Sequence, residues 1–222
     1  MKTLLSAFAV AFVIVFSPLT VDAAQVTWGA AQSNGVGTAE GIRLDIGDLV
    51  RVGWFDFSND LATNNAMIAA NAANVNFLNS HFIEFDASAI GANSPNGGGD
   101  NTGYWLDNPN ASTDALSLQN KQIYYWVFDA TTIGGASQHG VFTDPSPTWI
   151  FPADAAIPNT TVTDLSEVNQ DSTGIIIGTF GNGLSADGAS MLYNLAVIPE
   201  PSTFALFGVG AIGLAWLRRK RA

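Results

Sequence analysis

Apolar residues in this chain fall mostly into short runs separated by Gly, Asn, Asp and Thr. That pattern predicts many short strands joined by turns. The strongest run is Lys121 to Ala130, Lys-Gln-Ile-Tyr-Tyr-Trp-Val-Phe-Asp-Ala. As a strand it points Ile123, Tyr125 and Val127 to one side and Tyr124, Trp126 and Phe128 to the other. A strand apolar on both faces belongs at the centre of a sheet covered on both sides. Gln25 to Gly29 predicts a first strand. Ile42 to Asp56 predicts one or two more, broken at Gly47-Asp48, with Val50, Val52 and Trp54 alternating against Arg51 and Gly53. His81 to Asp86, Trp149 to Phe151, Gly174 to Phe180 and Met191 to Ile198 complete the set. Leu61 to Asn79 departs from it. Met67, Ala70, Val75, Phe77 and Leu78 fit a rough helical stripe there, against the turn preference of its many asparagines. Ala92 to Asn101, rich in Gly, Asn and Pro, is a loop. The expected fold is mainly β: a jelly-roll-like β-sandwich with one short helix.

Both ends have a different character. Lys2, the apolar segment Leu4 to Phe16, the helix-breaking Pro18 and the small residues Val21 and Ala23 make a secretory signal peptide, residues 1–23. At the other end Pro199-Glu200-Pro201 precedes fourteen apolar residues, Phe204 to Leu217, and then Arg218, Arg219, Lys220 and Arg221. Fourteen helical residues rise only about 21 Å, short of the ~30 Å hydrocarbon core. Ser202, Thr203 and snorkelling arginines extend the reach of this C-terminal transmembrane helix. The basic cluster marks its cytoplasmic side and leaves the main domain, residues 24–197, outside.

The Pro-Glu-Pro tripeptide, the short glycine-containing apolar helix and the terminal basic cluster, in that order behind a signal peptide, resemble the PEP-CTERM protein-sorting domain over residues 198–222. The resemblance implies a route of export by the translocon and signal peptidase. Transient anchoring and processing follow by exosortase, a membrane Cys protease or transpeptidase of Gram-negative bacteria. The endpoint is the cell surface or an exopolysaccharide matrix. It makes the chain the substrate and not the enzyme. Two prolines hold the junction extended, and Glu200 gives it one anionic handle.

Charge and composition narrow the remaining chemistry. From Ala24 to Ile198 three basic residues, Arg43, Arg51 and Lys121, stand against seventeen acidic ones, a net charge near −14. Such a surface repels nucleic acid and anionic headgroups. The absence of cysteine excludes thiol catalysis and thiolate metal sites, and two isolated histidines, His81 and His139, exclude a His-rich metal centre. No Ser/His/Asp, HExxH or phosphate-loop pattern is present, and Gly35-Val-Gly37 lacks a strand-to-helix context.

Three weaker candidates remain. Asp100, Asp107 and Asp114, with Asn101, Asn108 and Asn110, offer the hard oxygens that Ca²⁺ prefers, without EF-hand spacing; the same residues are ordinary turn formers. Tyr104 and Trp105 beside that loop are expected to be exposed and able to contact a glycan, whereas Trp54 and Trp126 are expected in the core. Asp45, Asp48, Asp56, Glu84, Asp86 and Asp129 lie in or beside strands, but nothing in the sequence brings two of them to glycosidase separation. The expected role is a non-enzymatic cell-surface or matrix protein associated with exopolysaccharide. A carbohydrate-binding module of the same matrix is the alternative, and a secreted polysaccharide hydrolase a more distant one.

Overall fold

The computed structural model describes residues 23–30, 35–93, 100–155, 159–183 and 191–199. Residues 1–22 of the expected signal peptide, Glu200, Pro201, the apolar C-terminal segment and the cluster Arg218 to Arg221 lie outside the described residues. Among the described residues no helix is long and apolar enough to cross a membrane.

In chain order the elements are β1 (Ala24–Ala30), β2 (Gly35–Gly37), β3 (Leu49–Phe55), α1 (Leu61–Ala70), α2 (Val75–Ser80), β4 (Phe82–Ala89), β5 (Trp105–Asp107) and β6 (Asn110–Ala111). There follow β7 (Tyr124–Phe128), β8 (Gln138–Phe142), β9 (Asn159–Asp164), β10 (Ile175–Ile177), β11 (Thr179–Asn182), β12 (Met191–Asn194) and β13 (Ala196–Val197). The central sheet runs β10-β8-β7-β3-β4, with β13 sharing the outer edge of β8. All of its pairings are antiparallel. In the second sheet β1 is flanked by β9, parallel to it, on one edge and by β5 and β6 on the other. A third, small sheet orders β11-β12-β2, its β12–β2 pairing parallel. The mainly β class and the face-to-face packing are as expected, and the parallel pairings are features that an antiparallel jelly roll lacks.

β7 explains the layering. All five of its residues are buried. Tyr125 meets Trp28 at 5.5 Å, Trp105 at 5.8 Å and Trp149 at 4.7 Å between ring centroids, which places the β1 sheet on that face. Its hydroxyl accepts from the Gly29 amide at 3.2 Å and donates to the Thr163 carbonyl at 2.9 Å, tying β7 to both β1 and β9. On the opposite face Trp126 packs on Phe55 and Phe82. Each buried ring of this size removes about 150–250 Å² from water, a gross ~4–6 kcal/mol.

The helices cover that second face, and polar groups fasten them. Asn64 donates to the Tyr124 hydroxyl, which donates to Asn65; the buried guanidinium of Arg51 donates to Asn79 at 2.8 Å and to Glu84. Two helices stand where the sequence predicts one. Asp60 caps α1 by accepting from Thr63, and Asn74 caps α2 by accepting from Phe77. Asn71 ends α1 with its side-chain amide on the Met67 carbonyl. The asparagines therefore divide the segment, as their preference for caps dictates. The stripe is also displaced: Leu78 is buried as expected, but in α1 Asn64 and Ile68 are buried, whereas Met67 is 40 % exposed.

Other differences have local causes. Trp149 ends a 3₁₀ turn, Pro147–Trp149, and only Ile150 forms a bridge, so the predicted 149–151 strand is absent; Pro147 presets that turn. The predicted 174–180 strand divides at Gly178, whose φ of +121° is open to glycine and costly for other residues. Gly53 has no room for a side chain, because a Cβ would lie 2.7 Å from the Phe82 ring beside the bulge between Val52 and Gly53.

Tyr125→Phe removes the hydroxyl shared by β1 and β9 and leaves the buried Gly29 amide without that acceptor. It is expected to lower stability by about 1–3 kcal/mol, read as a lower urea midpoint. An unchanged midpoint contradicts the hydroxyl's role in joining the sheets.

Candidate functional site

The sequence-predicted residues scatter. Asp100 accepts from the backbone and side chain of Thr102 and lies 3.8 Å from Arg43; Asp107 accepts from the Asn108 amide. Asp114 is exposed. Among the described residues no group of three His, Asp or Glu side chains is close enough to hold a metal ion, so Asp100, Asp107 and Asp114 do not converge. The carboxylate that organises this region is Asp154, which sequence reasoning missed. It accepts from the Ser112 hydroxyl and from the amides of Thr113 at 2.7 Å and Asp114 at 3.2 Å. Partial desolvation pushes its carboxyl up, but these hydrogen bonds prevail and hold it below the ordinary range.

The expected exposure of Tyr104 and Trp105 is overturned. Trp105 is fully buried against Trp28 and Tyr125, and Tyr104 is 6 % exposed beneath Arg43, whose guanidinium lies 4.9 Å from its ring. The polar neighbours that suggested a surface position are turn residues of the adjoining loop. The pairing of Ala30 with Trp105 carries the latter inward. Trp54 and Trp126 are core residues as expected, at 8 % and 0 % exposure.

Four of the carboxylates beside strands are engaged in hydrogen bonds or ion pairs. Asp48 accepts from the Asp45 amide, Asp56 meets His81 at 2.7 Å, Glu84 meets Arg51, and Asp129 accepts from Ser137 and Gln138. Desolvation raises the carboxyl of Asp86, with nearby Asp107 and Glu84 adding to the shift. Among the residues lining two grooves of the described surface, Asp60 is the only carboxylate.

Those grooves differ in character. The first, of about 580 Å³, runs between α1 and β10 and is largely apolar, with Leu61, Ala66, Ala69, Pro145 and Ile175 in its walls. The second, of about 380 Å³, is an amide-rich cleft. Asn59, Asn64, Gln119, Asn120 and Gln122 line it around Trp54, and the Lys121 ammonium lies 4.6 Å over the Trp54 ring while donating to Asn59. Lys121 is the only lysine between residues 24 and 198. Asn120 holds its side chain on a left-handed backbone, φ +61°, a conformation Asn tolerates better than most residues. Asn64 and the three-bond Gln122 amide are taken up internally, whereas Gln119 and Asn120 are exposed. The Gln-Asn-Lys-Gln run was visible in the sequence. Its convergence with Asn59 and Trp54, sixty-odd residues earlier, depends on β3 lying beside β7.

His139 is a buried structural link. Its Nδ1 accepts from the Trp126 indole at 2.9 Å, and its Nε2 donates to the Ala72 carbonyl at 2.8 Å, which fixes the neutral tautomer. Desolvation pulls its pKa down to about 4.

At the C-terminal end of the domain, Ala196 and Val197 pair with His139 and Gln138, and the Ile198 amide donates to the Ser137 carbonyl at 2.7 Å. The last strand of an acidic β-sandwich thus delivers the chain to Pro199. Residues 197–220 match the PEP-CTERM protein-sorting motif. The chain therefore carries that motif, which supports exosortase-dependent sorting to the cell surface, with export and transient membrane anchoring before release. No curated protein and no solved structure matches the chain significantly.

His139 binds a proton more readily in the unfolded chain, near its ordinary 6.5, than in the folded one, near 4. Its contribution is complete above about pH 6.5 and is lost as pH falls toward 4, on the order of 3 kcal/mol in all. Urea midpoints across that window are expected to fall more steeply for the parent than for His139→Gln; Asp48 and Asp86 are common to both proteins and cancel. Parallel pH profiles contradict the assignment.

Proposed function

We propose that this is a non-enzymatic cell-surface or extracellular-matrix protein, exported through the translocon, trimmed by signal peptidase, and released through exosortase to associate with exopolysaccharide. The observation that carries the sorting half is the PEP-CTERM match over residues 197–220, which begins inside the last strand of the folded domain. Solubility outside the cell suits a domain near −14. The carboxylates near strands are engaged in turns and ion pairs, which supports a non-catalytic role.

The amide-rich cleft favours a second reading, carbohydrate binding within the same matrix. Amide side chains donate and accept together, matching the paired character of sugar hydroxyls. A volume of about 380 Å³ is in the range of small-ligand sites. Tyr104 and Trp105 take no part in this version, since both are buried.

Two measurements separate these statements. In a host with exosortase, the intact mass of the released protein is expected to lack the apolar segment and Arg218 to Arg221, and in a host without the enzyme to retain them. Retention in both hosts overturns the sorting route. On a glycan array the full chain is expected to bind saccharides, with Gln119→Ala/Asn120→Ala weakening binding about ten-fold, one or two hydrogen bonds' worth. An array without signal removes the second reading and leaves the first standing.

A further inference from the structure

The sorting motif and the folded domain share residues. Val197 is both the first residue of the matched motif and the last of β13, and Ile198 is fastened one step further by its amide. Chain geometry then limits the junction severely. At no more than about 3.6 Å per residue, Glu200 lies within ~7 Å of Ile198 and Pro201 within ~11 Å.

The composition of the tripeptide sharpens this. Pro199 and Pro201 have no amide N–H, so Glu200 is the only backbone donor within it. An enzyme that holds its substrate as an added strand needs main-chain donors and acceptors. On the upstream side the nearest donor is the Ile198 amide, which is committed to Ser137; the Ala196 amide likewise faces β8, and the Val197 amide, which alternation turns away from β8, is followed on that outer edge by Pro199, which has no N–H. β13 is only two residues long, and Val197 is 58 % exposed, so little apolar burial opposes its release. The adjoining anchor is firmer: Leu195 is buried and its amide donates to the Gly37 carbonyl at 2.8 Å.

We infer that the outer edge of β8 and the processing enzyme compete for the same residues, Ala196 to Ile198, so that β13 must leave β8 before the Pro-Glu-Pro junction is processed. Release ends at Leu195, which keeps the rest of the domain folded while its last strand is read. The inference rests on exosortase processing as proposed above.

The full-length chain in an exosortase-containing host provides the test. Gln138 and Val197 lie directly opposite in the antiparallel register, and the chain has no other cysteine. Gln138→Cys/Val197→Cys therefore offers a disulfide that locks β13 in place in an oxidising compartment. Intact-mass time courses are expected to show removal of the basic tail slowed at least ten-fold in the locked chain, with reductant restoring it and both single-cysteine variants resembling the parent. A six-residue Gly/Ser spacer between Ile198 and Pro199 frees the upstream flank without touching the domain. It is expected to speed processing several-fold in the parent and to restore it in the locked chain. A locked chain processed at the parental rate, or a spacer without effect, overturns the competition. A parent that keeps its tail overturns the sorting route itself, and this inference with it.

Discussion

Five consecutive side chains, Tyr124 to Phe128, are buried on both faces of one strand, and the remaining layers are arranged around that demand. The face of Tyr125 is met by Trp28, Trp105 and Trp149, which requires the β1 sheet to lie across it. The face of Trp126 is met by Phe55 and Phe82 and roofed by α1 and α2. With no disulfide to constrain the unfolded chain, stability rests on this aromatic burial together with hydrogen bonds such as that of the Tyr125 hydroxyl.

The helical roof shows how a weakly amphipathic segment finds a place. α1 and α2 present few large apolar groups, and their attachment depends on Asn64, Asn79 and the Ala72 carbonyl meeting Tyr124, Arg51 and His139. The buried His139 imidazole remains neutral because burial strips water from it, while its two neighbours satisfy both ring nitrogens. This polar seam makes the roof sensitive to acid.

Much of this architecture was legible in the sequence, because periodicity reports burial directly. The two-faced run at 121–130 marked the central strand, and Gly47-Asp48 marked a true break before β3. What was not legible depends on distant pairing. Trp105 looked exposed among turn residues, yet register with Ala30 turns it into the core. The single predicted helix divided because Asn71 and Asn74 act as caps, a preference that a stripe of apolar positions does not record. The candidate calcium residues shared a composition and not a location, whereas the amide cleft draws on residues 54–64 and 119–122, joined only by the sheet. The PEP-CTERM motif was readable because it is local and linear. That the last strand runs directly into it was legible too; the pairing of that strand with β8 was not, since it depends on where β8 ends.

The folded domain thus runs into the sorting motif without an intervening spacer, and this continuity links the sandwich to its route. Hydrogen–deuterium exchange on the intact chain measures it directly, residue by residue. The account predicts the slowest exchange at Tyr124 to Phe128, with protection persisting, at a lower level, to the Ile198 amide. Free-peptide exchange at Ile198 beside a protected β7 would contradict the continuity of fold and motif.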